Sequence, residues 1–273
     1  MLEDIEKIEI DLFLEAIFKR YGYDFRHYAR ASLKRRIKKF MNTNSYDRIS
    51  DLTADIIHNQ SVFDEVVHNF SITVTEMFRD PPLYKILREK VIPYLKTYPF
   101  IKIWHAGCAT GEEVYSLAIL LKEEGLYNKT TIFATDFNNK ALDIARQGIY
   151  PLKDIQAYTT NYQKADGKAS FANYYHVSYK SAIMNKSLTK NVTFANHNLV
   201  TDSVFGEMHL ILCRNVLIYF DKNLQNRVLK LFNDSLIYNG FLVLGSKETI
   251  NSSPIMNRFS PVDKKYKTYQ KIL

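Results

Sequence analysis

A chain of 273 residues is long enough for one large domain or two of moderate size. With 46% hydrophobic and 24% charged residues it has the composition of a soluble globular protein, and no apolar run approaches the roughly 18 residues of a membrane span. The N-terminus, Met-Leu-Glu-Asp-Ile-Glu, is acidic and lacks a signal-peptide core, and the two cysteines, Cys108 and Cys213, form neither a disulfide framework nor a metal-ligand spacing. A cytoplasmic chain without membrane insertion and without a metal is therefore expected. The net charge of +8 leaves nucleic acid, anionic lipid and an acidic protein surface open as partners.

Residues 1 to 70 read as helical. Ile5, Ile8, Leu12, Ala16 and Ile17 recur at helical spacing, and Tyr21-Gly22-Tyr23-Asp24 breaks the pattern. A second helix is predicted from about Phe25 to Met41, with Ala29, Leu33, Ile37 and Phe40 on one face. Its other faces carry Arg26, Arg30, Lys34, Arg35, Arg36, Lys38 and Lys39, either a solvated face or a docking surface for an anionic partner. One or two further helices fill residues 46 to 70. Residues 71 to 82, rich in hydroxyls and stopped by Pro81-Pro82, read as a linker. Its Arg79 either caps local carbonyls or clamps a ligand carboxylate with its planar fork.

A helix over 83 to 96 leads to a strand at 101 to 105, a turn on Gly107 and Gly111, and a helix from 112 to 124 that opens with Glu112 and Glu113. Strand, glycine turn and helix are the first half of a doubly wound α/β unit. A phosphate-binding turn would offer amides and no carboxylates at that point. Carboxylates there suit a ligand that is cationic or rich in hydroxyl and ammonium donors, such as S-adenosylmethionine. The second strand, 131 to 136, ends on Asp136, 25 positions after Gly111. That is the place of the ribose-hydroxyl acceptor in such folds, though Asp136 or Asn138 could also cap the helix predicted at 138 to 147. The Tyr-rich stretch 149 to 190 reads as an insertion over the sheet edge. Strands follow at 191 to 195, 208 to 213 and 241 to 245, with a helix at 222 to 238 ending on Asn239-Gly240 and a terminal hairpin within 260 to 271.

The polar residues that stand out fall at the carboxyl ends of these strands, where an open parallel sheet binds its ligand: Cys108 to Glu112, Asp136, Asn198, and Asn215 with Tyr219. No Gly-x-Gly-x-x-Gly or phosphate-cradling lysine loop is present, which disfavours nicotinamide and nucleoside triphosphates. His105 and His197 stand alone and read as structural, and the two cysteines as small apolar fillers.

On these residues the chain resembles the CheR-type chemotaxis receptor methyltransferases, protein-glutamate O-methyltransferases that use S-adenosylmethionine. The resemblance rests on Gly-Cys-Ala-Thr-Gly-Glu-Glu-Val-Tyr-Ser (107 to 116), Ala-Thr-Asp-Phe (134 to 137), Cys-Arg-Asn-Val-Leu-Ile-Tyr-Phe-Asp (213 to 221) and Thr-Glu-Met-Phe-Arg-Asp (75 to 80), and covers nearly the whole chain. It implies an α/β fold: a Rossmann-like S-adenosylmethionine-dependent methyltransferase sheet with a helical N-terminal domain (1 to 70), a linker contributing to the cofactor site (71 to 82) and an α/β domain (83 to 273) with a small β-subdomain insertion (149 to 190). Thr73, Thr75 and Arg79 are implied at the methionine part of the cofactor, and Glu112 at its amino-acid end. Asp136 falls at the ribose, Asn198 and Leu199 at the adenine, and Asn215 and Val216 along the cofactor. Tyr219 is placed near the transferred methyl, and Arg214 at the substrate carboxylate. Thr73 departs from the Asn of several members, and Val114 from a common Pro. The basic helix, with Arg30, Lys34, Arg35, Arg36 and Lys38, is implied as the docking face for acidic receptor methylation helices.

Members that bind a receptor's pentapeptide tether carry extra glycines in the β-subdomain. Here only Gly167 lies between Gly148 and Gly206, so the tether is expected not to be used. A monomer is expected. The alternatives are a cofactor-binding module without turnover, a nucleic-acid methyltransferase and a nicotinamide oxidoreductase. Arg-Asn-Val-Leu stands where a base methyltransferase would carry Asn/Asp-Pro-Pro-Tyr, so no nucleic-acid substrate is expected.

Overall fold

The structure is a computed structural model that describes residues 2–70, 75–204 and 206–273. Four helices come first: α1 (Leu2–Tyr21), α2 (Arg30–Asn44), α3 (Ile49–His58) and α4 (Gln60–Phe70). The basic helix starts five residues later than its composition predicts. Residues 25 to 29 are instead drawn against the rest of the protein: Tyr28 bridges to Phe220, the Ala29 amide donates to the Tyr219 carbonyl at 2.8 Å, and the Asp221 amide donates to the His27 carbonyl at 2.8 Å. The helix predicted over 83 to 96 is α5 (Pro81–Ile86) and α6 (Ile92–Lys96) joined by a π-turn at Leu87–Val91. Pro93 has no amide to donate to the preceding turn, and the wider π-turn just upstream takes up the mismatch.

The α/β part runs β1 (Ile101–Ala106), α7 (Glu112–Glu123), β2 (Thr130–Asp136), α8 (Asn139–Gln147), β3 (Ile149–Pro151), α9 (Ile155–Lys164), β4 (Tyr175–Ser178), β5 (Ser181–Met184), β6 (Val192–Asn196), β7 (Met208–Cys213), α10 (Lys222–Ser235), β8 (Leu236–Leu244), β9 (Phe259–Asp263) and β10 (Thr268–Lys271). The main sheet has the order β6-β2-β1-β7-β8-β10-β9. Pairings from β6 to β8 are parallel, and β10 and β9 close the edge as the antiparallel hairpin expected of the tail. A separate antiparallel sheet, β3-β5-β4, forms within the Tyr-rich insertion. Helix α10 ends earlier than predicted. Asn239, at φ +61°, and Gly240 lie inside β8, where the pairing with β7 slips between Met208 and Leu210.

Side chains alternate across the strands and fill two cores. On one face, Trp104, Ile211 and Cys213 pack with α10 and with Phe13, Leu33, Ile37 and Phe70 of the first four helices, so the helical segment shares a continuous core with the sheet. On the other face, Ile103, Leu210 and Leu212 pack with α5 to α7 and the tyrosines of the insertion. No helix among the described residues is long and apolar enough to cross a membrane.

Candidate active site

Strand order reverses at β1, with β2 on one side and β7 on the other, and a crevice opens outside their carboxyl ends. The cleft there is lined by residues from the ends of all three strands. Its floor is the turn after β1. Gly107 (φ +75°) and Gly111 (φ +92°) supply left-handed backbone there, and a Cβ on Gly107 would lie 2.5 Å from Val216 Cγ2. The amides of Gly107 and Cys108 donate to the Thr135 carbonyl at 2.8 and 2.9 Å, which pins the turn to the end of β2.

Asp136 sits at that end, buried and facing the cleft. Its carboxylate accepts the Ala109 amide at 2.9 Å on one oxygen and the Asn138 amide at 2.9 Å on the other. Helix α8 is capped by the Asn138 side chain, not by Asp136. Burial pushes the Asp136 pKa up against these donors. Leu199 and Asn198 line the opposite side, and the Asn198 side-chain oxygen accepts the Val200 amide at 3.0 Å to shape the loop. Asn215, at φ +60°, and Val216 form the wall after β7, with Tyr219 at the end of a short 3-10 turn.

The acidic pair divides. Glu113 is among the residues that line the cleft, and Glu112, expected at the amino-acid end of the cofactor, is not. Glu113 accepts from Arg214 at 3.0 Å and lies 3.5 Å from His105 Nε2. Burial pushes the Glu113 carboxyl up, but Arg214 and then His105 outweigh it and hold the group at about 2. Glu112 is buried on the insertion side of α7, where Thr110 Oγ1 donates to it at 2.7 Å, and burial raises its pKa to about 7. A carboxyl whose folded pKa lies above its unfolded value gives its full stability below the unfolded pKa of about 4.3 and loses it as pH rises through about 7. Glu112→Gln is therefore expected to match the wild type in denaturant unfolding at pH 4 and to exceed it by roughly 3 kcal/mol at pH 8.

Arg214, expected at the substrate carboxylate, lines the cleft and is held by its neighbours. Its side chain is fully buried, ion-paired to Glu113 and Asp80, and donates to the Arg79 carbonyl at 3.4 Å. A guanidinium so engaged clasps the linker to α7, while its Nε is left without a hydrogen-bond partner among the described residues. Phe78 completes the clasp: its amide donates to Ser116 Oγ at 2.8 Å and its ring packs on Tyr84 and Tyr162. Thr75 and Arg79 line the cleft from this linker; Thr73 lies outside the described residues.

The docking cations also divide. Lys34 and Lys38 both pair with Glu6 of α1 at 2.7 Å, and Arg30 pairs with Asp11. Arg35 and Lys39 are exposed without an ion pair among the described residues. Arg36 is buried, 8% exposed, and its guanidinium lies 4.8 Å from the ring centroid of Tyr219, a residue that lines the cleft. Its Nη2 has no hydrogen-bond partner, and burial lowers its pKa.

Both thiols are buried, which pushes their pKa values well up and keeps them protonated. Tyr28, Phe70 and Val200 also line the cleft, and nothing in their sequence pattern marks them. Glu248 lies behind the loop after β7, where burial raises its pKa. Among the described residues no cluster of His, Cys, Asp or Glu could hold a metal.

A buried carboxylate at the end of β2, a second below the turn, and apolar walls from Phe137, Leu199 and Val216 fit a ligand with ribose hydroxyls, an ammonium group and an aromatic base. The comparisons with known proteins agree. The family described as CheR methyltransferase, SAM binding domain, matches residues 73–266, and the CheR methyltransferase all-alpha domain matches residues 8–71. A Pseudomonas putida protein named Cher3 is 50% identical over 264 residues, which cover 97% of each chain. The chemotaxis protein methyltransferase of Borreliella burgdorferi is 27% identical over 98% of this chain and 95% of its own. That of Listeria innocua is 28% identical over 92% and 93%.

Proposed function

We propose, from the premise that the chain belongs to the CheR methyltransferase family and is an S-adenosylmethionine-dependent methyltransferase, that it esterifies glutamate side chains on the cytoplasmic helices of a chemotaxis receptor. The observation that carries this reading is Arg36. Helix α2 buries one guanidinium against the ring of Tyr219, a residue of the cleft wall, with a hydrogen-bond donor unpartnered and no ion pair to a carboxylate among the described residues. An acidic side chain is the substrate such a group selects.

S-Adenosylmethionine supplies a methyl on a sulfonium, so attack by a carboxylate oxygen forms the ester C–O bond while the departing sulfur keeps the C–S electron pair. A glutamate, with a reference pKa of about 4.3, is already ionised near neutral pH and needs no general base. The protein's work is alignment and desolvation. Asp136 holds the ribose hydroxyls, Glu113 the ammonium group and Arg79 the carboxylate of the cofactor. Thr75, and with it Thr73, supports the methionine part, Asn198 and Leu199 flank the adenine, and Asn215 and Val216 line the bound molecule. Arg36 orients the attacking carboxylate over Tyr219. Arg35 and Lys39, with Lys34, Lys38 and Arg30 where an acidic helix displaces Glu6 and Asp11, form the docking face. The enzyme works as a cytoplasmic monomer without a pentapeptide tether.

The test is incubation with methyl-labelled S-adenosylmethionine and a receptor cytoplasmic fragment, followed by mild base. A glutamate ester releases its label as volatile methanol. Label that stays on the fragment after base, as an N- or S-methyl group would, contradicts the reading.

A further inference from the structure

We infer that Glu248 is the positioning residue that presents the loop after β7 to the cofactor. Its side chain is 3% exposed and does not itself line the cleft. One carboxylate oxygen accepts the amides of Gly245 at 2.6 Å and Asn215 at 3.0 Å; the other accepts those of Val216 at 2.8 Å and Ile218 at 3.3 Å. Four backbone donors from two strand ends thus converge on one buried anion, a concave nest filled by a side chain. Through it the end of β8 fixes the backbone of the residues that wall the cleft. Gly245 makes the approach possible: a Cβ there would lie 2.7 Å from Glu248 Oε2 and 2.8 Å from the Asn215 amide.

The grip has two consequences for the site. Asn215 is held at φ +60°, a conformation that costs a non-glycine residue energy and persists only where its surroundings impose it. Val216 is held with Cγ2 where a Gly107 Cβ would fall, so the β7 loop and the β1 turn meet with no slack. The carboxylate is specifically required. Glutamine keeps the shape but turns an NH2 toward two N–H donors, and aspartate keeps the charge but draws it back by one methylene.

The inference rests on the reading that Asn215 and Val216 touch the cofactor, and the test separates the two. Glu248→Gln and Asn215→Ala are titrated calorimetrically with S-adenosylhomocysteine well below each variant's thermal midpoint, and methyl transfer is followed with each substrate varied in turn. For Glu248→Gln the expected result is an affinity loss of tenfold or more. The KM for S-adenosylmethionine should rise by a similar factor, and the KM for the receptor fragment should stay within twofold. A lowered thermal midpoint with wild-type affinity and wild-type KM would make Glu248 a purely structural anchor and overturn the inference. Wild-type affinity in Asn215→Ala as well would sink the contact reading beneath it. If the glutamine variant does not fold, the same split is read on Glu248→Asp.

Discussion

Asp136→Ala is expected to remove measurable binding of S-adenosylhomocysteine while leaving the fold intact. The carboxylate already accepts two amides, from Ala109 and Asn138, and has acceptor capacity left for ribose hydroxyls. Hydrogen bonds to a charged acceptor contribute roughly 1.5–3 kcal/mol each. Losing two of them to the ribose costs on the order of 3–6 kcal/mol, a weakening of at least a hundredfold. Losing the Ala109 contact as well frees the turn at a residue held at φ +48°, which adds to the deficit. Helix α8 keeps its cap, because Asn138 supplies it. Calorimetry alongside circular dichroism checks the result; full affinity in the folded variant would place the cofactor elsewhere.

Arg36→Ala is expected to have the opposite profile: cofactor affinity close to wild type and methyl transfer lowered about a hundredfold or more. The guanidinium faces Tyr219 at 4.8 Å, and its unpaired Nη2 is a buried cationic donor open to a substrate carboxylate. A charge-assisted bond in a desolvated site contributes roughly 3 kcal/mol or more when the partner would otherwise be buried unpaired. Lysine at this position restores the charge but not the planar fork or its packing on the ring, so Arg36→Lys should recover only part of the rate. Single-turnover kinetics with saturating cofactor separate this loss from weaker docking. A variant with unchanged single-turnover rate would assign Arg36 to packing alone.

Much of the site was legible because strands buried on both faces read as apolar runs, and the polar residues that interrupt them mark the carboxyl ends. Asp136, Asn198, Asn215 and Tyr219 all come to the cleft on that logic. By residue type Arg36 reads as one of the docking cations, but by spacing it lies three residues after Leu33 and four before Phe40, on the face that both bury. The choice between Glu112 and Glu113 had no such signal. Residues 112 to 121 of α7 are buried throughout, and a helix without a solvent face offers no polar stripe to set its phase. Arg214 looked available for substrate because the sequence does not show that Asp80 and Glu113, far apart in the chain, close on it. Glu248 carried no local mark at all, since its partners are backbone amides, which any sequence has.

The central claim, a carboxylate acceptor on a receptor helix, is tested most directly by mapping the transferred group. Receptor cytoplasmic fragment is treated with the enzyme and deuteromethyl-labelled S-adenosylmethionine, digested under mildly acidic conditions that preserve esters, and sequenced by tandem mass spectrometry. The account predicts the label on glutamate side chains of the acidic helices, strongly reduced in the Arg36→Ala and Asp136→Ala reactions. Label on lysine, cysteine or a backbone terminus, or none on any receptor fragment by an enzyme that binds its cofactor, would contradict it.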